Sequence, residues 1–224
     1  MNSARVFFVA VVLVLSSQLV SAQALTGYRA YVLDSSLETV LAASGARAAD
    51  TKTLHERPAK IQELEWRAPY TRSGNELADP VRGLIFSFCD DALYQVLVSY
   101  HPDRTAGLTN GDIVGSLTAV YGTPLAASAR NRPLAAPPDT VVLAQWDSAG
   151  SSLTLLRGVY AADYQLILTS KALSTRARGA IREAERLETA DAPRRELEQR
   201  KKEAVDATAA RDKIRASNKA AFRP

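Results

Sequence analysis

The sequence contains few side chains suited to nucleophilic chemistry. Its 224 residues include one cysteine, Cys89, and two histidines, His55 and His101. A thiol nucleophile needs a base within hydrogen-bond reach. If Asp90 and Asp91 form a hairpin turn, Cys89 and His101 lie roughly 30 Å apart at about 3.3 Å per residue. Nothing in the sequence places His55 near Cys89. A free cysteine is usually a small buried hydrophobe, and we expect that role for Cys89.

The composition also excludes several kinds of metal site. One cysteine cannot form an internal disulfide or a multi-cysteine zinc or iron–sulfur site, and two histidines cannot build a histidine-rich centre. Residues 103–112 resemble a calcium loop, but the twelfth position is Val114 instead of a bidentate glutamate, and Arg104 lies inside the loop. No nucleophile elbow, phosphate-binding loop, HExxH motif or dinucleotide fingerprint is present in the sequence. We therefore predict no catalytic residue, no metal site and no cofactor.

Carboxylates are the one residue type that leaves an enzymatic alternative open. Two carboxylates about 5 to 9.5 Å apart in one cleft are typical of glycoside hydrolases. The alternative function is therefore an envelope hydrolase whose carboxylates converge in the fold. The candidates are scattered in sequence: Asp79, Asp90, Asp91 and Asp147.

Basic clusters near the C-terminus supply the candidate binding residues. Residues 171–224 contain 15 Lys and Arg against 9 Asp and Glu, whereas residues 23–170 contain 12 against 15. Such cations could bind an anionic lipid, an anionic envelope polymer or an envelope protein, each contributing about 1 kcal/mol near anionic lipid. The interleaved acids are more often typical of a solvated, salt-bridged helix, which is the alternative interpretation. The binding candidates are Arg194, Arg195, Arg200, Lys201 and Lys202.

The first 22 residues carry the most specific motif in the chain. One positive charge in residues 1–5 is followed by ten apolar residues and then by SSQLVSA. This pattern predicts a signal peptide, residues 1–22, cleaved after Ala22. A membrane-spanning helix needs about 20 apolar residues, and this apolar run has ten. We therefore interpret the run as part of a signal peptide rather than as a membrane anchor, and we expect no transmembrane segment after cleavage. The protein is predicted to be periplasmic or secreted in a bacterium, which argues against a nucleic-acid partner.

Residues 23–170 form a body in which apolar residues alternate with polar ones. Alternation with period two is typical of strands with one buried face. The breaks at 90–91 and 147–150 predict two hairpins, and the prolines of residues 123–139 predict an extended loop. A second loop is predicted at 72–79. The predicted strands are 28–33, 52–56, 61–66, 81–89, 92–100, 140–146, 152–157 and 164–169.

Two short helices are predicted to interrupt the strands. Ser35 and Glu38 have the spacing of a capping box, and Gly45 can end the helix that follows them. Thr109 is predicted to begin the second helix, whose apolar residues recur at three and four positions until Gly122.

The tail, residues 171–224, is predicted to be helical in two pieces. Residues 171–187 carry a narrow apolar stripe that could dock on the sheet. Asp191 and Pro193 then predict a new helix start, with Asp191 as the cap. Beyond this point the large apolar residues are Leu197, Val205 and Ile214, too few to bury a face. We expect a solvated helix here, and a third hypothesis is self-association as a coiled coil through these three residues.

Together these elements predict an α+β fold. It comprises an antiparallel sheet of about seven or eight strands, two short helices and a long charged C-terminal helix. Strands grouped in runs exclude a doubly wound sheet. A helix followed by a meander occurs twice, in residues 23–103 and 104–170, which suggests an internal duplication.

Three stretches of the chain resemble a family of exported soil proteobacterial proteins of unknown function. They are LYQVLVSYHPDRTAGLTNGDIVGSLTAVYGTP at 93–124, SSLTLLRG at 151–158 and NKAAFRP at 218–224. The resemblance implies no catalytic residues. The helix-plus-meander order is similar, in topology alone, to the repeats of outer-membrane assembly lipoproteins and β-lactamase-inhibitor proteins, although the lipobox cysteine is missing. We therefore predict an exported, non-enzymatic binding or scaffolding module of the bacterial envelope.

Overall fold

The computed structural model of the chain describes residues 25–68, 79–125, 132–133, 136–160, 163–221 and 223. The predicted signal peptide lies outside these residues, as do residues 72–78 of the first predicted loop and residues 126–131, 134 and 135 of the loop predicted at 123–139. The α+β class is confirmed. The helices are α1 (Leu37–Ser44), α2 (Pro102–Thr105), α3 (Asn110–Tyr121) and α4 (Lys171–Ala221), with a 3-10 turn at Ala48–Asp50. The strands are β1 (Gly27–Tyr28), β2 (Tyr31–Val32), β3 (Thr51–His55), β4 (Ile61–Arg67), β5 (Val81–Cys89), β6 (Ala92–Tyr100), β7 (Thr140–Asp147), β8 (Ser151–Gly158) and β9 (Tyr164–Ser170).

Seven of the described strands form one antiparallel sheet in the order β3-β4-β5-β6-β9-β8-β7. The predicted hairpin of β5 and β6 is confirmed. Asp90 and Asp91, at its turn, have positive φ angles of 47° and 70°, the backbone that a tight two-residue turn requires and that Asp tolerates better than most residues. The sheet therefore consists of two meanders: strands β3 to β6 form one, and strands β7 to β9 form the other.

The two meanders meet at the antiparallel pair of β6 and β9. Helix α1 precedes the first meander and α3 precedes the second, so the predicted helix-plus-meander order is present. Whether the two halves arose by duplication stays a prediction.

One face of the sheet holds the larger core. Its strands bury alternate apolar side chains, such as Phe86 and Phe88, which are fully buried; burying each large apolar side chain contributes about 1.5–3 kcal/mol. The hairpin of β1 and β2, together with α1 and α3, covers this face. The Tyr31 ring lies 4.6 Å from the Phe86 ring. Trp146 Nε1 donates a hydrogen bond of 2.7 Å to the carbonyl of Gly122, which fixes the end of α3 against β7.

The first turns of α4 cover part of the opposite face. Ala177 is 1% exposed and packs in a smaller cluster with Ile61, Cys89 and Tyr94. Cys89 follows Phe88 in β5, and successive strand residues point to opposite faces. A small residue at position 177 lets the helix backbone approach the sheet closely.

Long-range hydrogen bonds alter the predicted start of α1. The predicted capping box of Ser35 and Glu38 is wrong, because the N-cap is Ser36, whose hydroxyl accepts from the Thr39 N–H at 3.2 Å. The Ser35 amide instead donates to the Val32 carbonyl, and its own carbonyl accepts from the Leu93 N–H. The predicted strand 28–33 is the hairpin of β1 and β2. The starts and ends at Thr109, Gly122 and Gly45 are confirmed.

The predicted helix start at Asp191 is also wrong, because α4 runs from Lys171 to Ala221 with Pro193 inside it. A proline in a helix removes one N–H donor and crowds the carbonyl four residues earlier. Next to this position the Arg195 guanidinium donates to the Glu188 carbonyl at 2.8 Å, and Arg57 pairs with Asp191 at 2.6 Å. These contacts support the helix at the point where its own ladder is weakened.

Candidate functional site

The two adjacent carboxylates of the β5–β6 turn serve different helices. Asp91 Oδ1 accepts from the Leu37 N–H at the start of α1, at 3.1 Å. Asp90 accepts from the Lys60 N–H at 2.8 Å and pairs with Arg176 of α4. Because α1 and α4 lie on opposite faces of the sheet, the two carboxylates are directed to separate structural partners.

The other two candidate carboxylates, Asp147 and Asp79, lie far from Asp90, and each forms an ion pair: Asp147 with Lys171, and Asp79 with Arg29. Asp147 lies at the same end of the sheet as Asp90, but four strands away, about 19 Å at 4.8 Å per strand. It pairs with Lys171 at 2.8 Å. Asp79 lies beyond the other end of β5, roughly 30 Å from Asp90. None of these separations matches the carboxylate spacing of a glycoside hydrolase. Among the described residues, no group of His, Cys, Asp and Glu could hold a metal ion.

Cys89 has the buried position expected from its sequence context. Burial raises the pKa of its thiol, so the reactive thiolate is disfavoured. His55 opposes Ile61, which in turn opposes Cys89; two strand spacings separate the histidine from the thiol by about 10 Å. His55 Nδ1 lies 3.0 Å from Glu188 Oε1 instead. The structure does not bring the cysteine and the histidines together.

The C-terminal part of α4 lies apart from the sheet. Ala184 is the last buried residue of this helix, and every described residue from 192 to 221 is exposed. We call residues 192–221 the arm. At 1.5 Å per residue its 30 residues extend about 45 Å.

The five predicted binding residues all lie on the arm, but their surroundings differ. Arg194 is 3.9 Å from Asp191, Arg200 pairs with Glu196 at 2.6 Å, and Arg195 binds the Glu188 carbonyl. Lys201 and Lys202 form no ion pair with any residue that the structure describes. The two lysines are therefore the least neutralised of the five cations.

The unbroken helix arranges part of the arm into one stripe. Residues spaced by three or four positions share one side of a helix. This arm stripe contains four cations, two large apolar residues and a single acid. Its members are Arg194, Leu197, Lys201, Val205, Thr208, Asp212, Arg215 and Lys219.

The same geometry separates the three apolar residues proposed for self-association. Leu197 and Val205 lie on the arm stripe and are 54% and 67% exposed. Ile214 lies 17 residues after Leu197, a rotation that places it about 100° away around the helix. The three residues therefore do not form a continuous coiled-coil seam.

A second candidate surface lies where α4 begins, and sequence reasoning missed it. We call it the α4 cleft: a space of about 350 Å³ between the first turns of α4 and the strands β6 to β9. Its floor includes Gln95, Gln145 and Thr154, and its walls include Lys171 and Arg178. No Asp or Glu that the structure describes lines the cleft. The only feature of the sequence that could have indicated this cleft is the presence of Gln and Thr at strand positions that face a helix.

Charge in the α4 cleft is only partly compensated. Lys171 Nζ donates to Asp147 at 2.8 Å and to the Ser148 carbonyl at 2.6 Å. Arg178 donates to the Ser174 carbonyl at 3.2 Å, and no described carboxylate pairs with it. The cleft is therefore electropositive on the side formed by α4.

Comparison with protein-family models, curated proteins and solved structures finds no match to this chain. The resemblances noted in the sequence stay predictions. None of the described helices is both long enough and apolar enough to cross a bilayer.

Proposed function

We propose that this protein is an exported, non-enzymatic binding module that attaches to an anionic surface of the bacterial envelope through its arm. The observation that supports this most strongly is the arm stripe, in which four cations and one acid share one side of a fully exposed helix. Of these four cations, Arg194 alone lies within 4 Å of a described carboxylate, that of Asp191 at 3.9 Å.

Simple electrostatics gives the expected strength of this attachment. Each Lys or Arg near an anionic lipid surface contributes about 1 kcal/mol, and the attraction falls off within a Debye length. Leu197 and Val205 can bury part of their exposed apolar surface at the same interface. We expect weak, salt-sensitive binding rather than stable insertion.

Co-sedimentation tests this proposal. The chain without residues 1–22 is mixed with vesicles rich in phosphatidylglycerol, with neutral phosphatidylcholine vesicles, or with an isolated anionic wall polymer. We expect binding to an anionic surface that weakens with added salt, and none to the neutral vesicles. The vesicle and polymer arms distinguish a lipid from a polymer as the anionic surface.

Two variants of equal charge test the role of the arm stripe. Lys201→Gln with Lys219→Gln removes two stripe cations, whereas Lys202→Gln with Lys213→Gln removes two lysines from another side of the same helix. The first pair should weaken binding about 30-fold, at about 1 kcal/mol per cation, and the second less than threefold. Equal weakening by both pairs, or no binding to either anionic surface, contradicts the proposal.

A further inference from the structure

The α4 cleft contains a buried polar group that lacks a partner. Gln145 is 7% exposed, lies on β7 and lines the cleft. Its side-chain Oε1 has no hydrogen-bond partner among the described residues. Its backbone carbonyl, by contrast, accepts from the Leu125 N–H at 2.7 Å. A buried acceptor without a partner is destabilising, so a donor entering the cleft would be stabilised here.

The strand register places further polar groups beside Gln145. Thr154 on β8 lies directly opposite Gln145, and Gln95 on β6 lies directly opposite Thr169 on β9. All four residues line the cleft. The two pairs are offset, because Thr169 lies opposite Ser152, two residues before Thr154 on β8. Together they form a polar row that crosses four strands, about 14 Å at 4.8 Å per strand, and steps by about 7 Å along the strands between β9 and β8. Such a floor offers uncharged donors and acceptors to hydroxyl groups along its length.

The described walls of the cleft add positive charge and contain no carboxylate. Arg178 projects from α4, and Arg132 is held in place by the carbonyls of Pro137 and Thr140, the latter at 2.6 Å. A guanidinium is well suited to bind a carboxylate or phosphate through two parallel hydrogen bonds. Neither arginine pairs with a carboxylate in the part of the chain that the structure describes.

From these observations we infer that the α4 cleft binds a small sugar acid: a hydroxyl-bearing ring with a carboxylate or phosphate group. The polar row receives the hydroxyl groups, and Arg178 with Arg132 receives the anion. Tyr94 and Ile181 provide apolar surface for the ring. The volume of about 350 Å³ lies at the lower end of the range for ligand pockets, which suits a small ligand. This binding does not depend on the arm.

Titration calorimetry with four probes tests the inference on the chain without residues 1–22. The probes are glucuronate, glucose 6-phosphate, glucose and inorganic phosphate. We expect glucuronate or glucose 6-phosphate to bind at least tenfold more tightly than glucose and than inorganic phosphate. Which of the two binds more tightly identifies the anionic group. Inorganic phosphate that binds as tightly as glucose 6-phosphate overturns the inference, as does the absence of binding by both sugar acids.

Three variants separate ligand binding from a structural role. Arg178→Gln should weaken binding of the sugar acid at least tenfold, whereas Arg182→Gln, one helical turn further and outside the cleft, should leave it unchanged. Gln145→Leu should also weaken binding at least tenfold while leaving the urea midpoint equal or higher, because it removes an unsatisfied buried acceptor. Unchanged affinity in both cleft variants overturns the inference.

Discussion

At the scale of single residues, one ion pair ties the N-terminal hairpin to the beginning of β5. Arg29 Nη1 and Nη2 contact the two carboxylate oxygens of Asp79 at 2.5 and 2.8 Å. Asp79 Oδ1 also accepts from the Val81 N–H at 2.9 Å. The Arg29 guanidinium lies 5.3 Å from the centre of the Tyr28 ring. The hydrogen bonds from Arg29 hold the pKa of Asp79 below its ordinary value.

The lowered pKa of Asp79 predicts a pH-dependent contribution to stability. A carboxyl whose pKa is lower in the folded state stabilises the fold above its unfolded pKa, about 3.9, and loses this contribution as the pH falls through its folded pKa. The side chains are 44% and 41% exposed, so we expect Asp79→Asn to cost only about 0.5–1 kcal/mol at pH 7. Urea unfolding measures this difference, which should shrink between about pH 5 and pH 2.

Arg82→Gln, which removes a nearby exposed cation without a described ion pair, is the control and should have little effect at either pH. If Asp79→Asn and the unaltered chain differ by the same amount at pH 7 and pH 2, the charge on Asp79 is not the source of the stabilisation.

At the scale of elements, the accuracy of the sequence predictions depended on how local their physical cause was. The strands β5 and β6 have their predicted bounds, because each buries one complete face and their turn residues accept positive φ. The cap of α1 could not be predicted, since it depends on the hydrogen bond that the Leu93 N–H donates to the Ser35 carbonyl, and Leu93 is far away in sequence. The continuity of α4 depends on contacts around Pro193 that no local pattern encodes.

The two candidate sites also differ in how much of each could be predicted from the sequence. The arm cations followed from charge composition, but their arrangement in one stripe required an unbroken helix, which the predicted start at Asp191 had interrupted. The α4 cleft required the pairing of four strands, because Gln95 and Gln145 lie on strands that are not neighbours. The sequence shows that these residues are polar, but it does not show that they line the same cleft.

The docking of α4 on the sheet predicts a strong size limit at position 177. Ala177 is 1% exposed against Ile61, Cys89 and Tyr94, so Ala177→Leu would force these groups apart. Overpacking of this kind typically costs about 1–3 kcal/mol. Thermal unfolding should show a clearly lowered Tm for this variant. The matched control, Ala210→Leu, places the same side chain on the exposed arm and should leave Tm nearly unchanged; equal shifts in the two variants contradict close packing of α4.

At the scale of the whole molecule, the chain divides into a packed body and a solvated arm within one helix. Residues 171–184 of α4 belong to the body, because Ala177 and Ala184 are buried against it. The ion pair of Arg57 with Asp191 lies at the boundary. The charge boundary at residue 171 and the packing boundary near residue 191 therefore differ by about five and a half helical turns.

This division predicts different outcomes for two truncations. A chain that ends at Asp191 retains every buried contact of α4, so its urea midpoint should equal that of the longer chain. A chain that ends at Ser170 exposes Ile61 and Tyr94 and should unfold at a clearly lower urea concentration, since burial of each large apolar side chain contributes about 1.5–3 kcal/mol. Equal midpoints for the two truncated chains would show that α4 does not stabilise the sheet.

The antiparallel pair of β6 and β9 also bears on the order of events during folding. Within each meander, successive strands are neighbours in sequence and can pair through short loops. Val98 on β6 and Leu166 on β9, by contrast, are opposite each other although 68 residues separate them. Contacts between distant residues form slowly, because the intervening chain must first lose entropy. The joining of two partly formed halves at the middle of the sheet is thus expected to limit the folding rate.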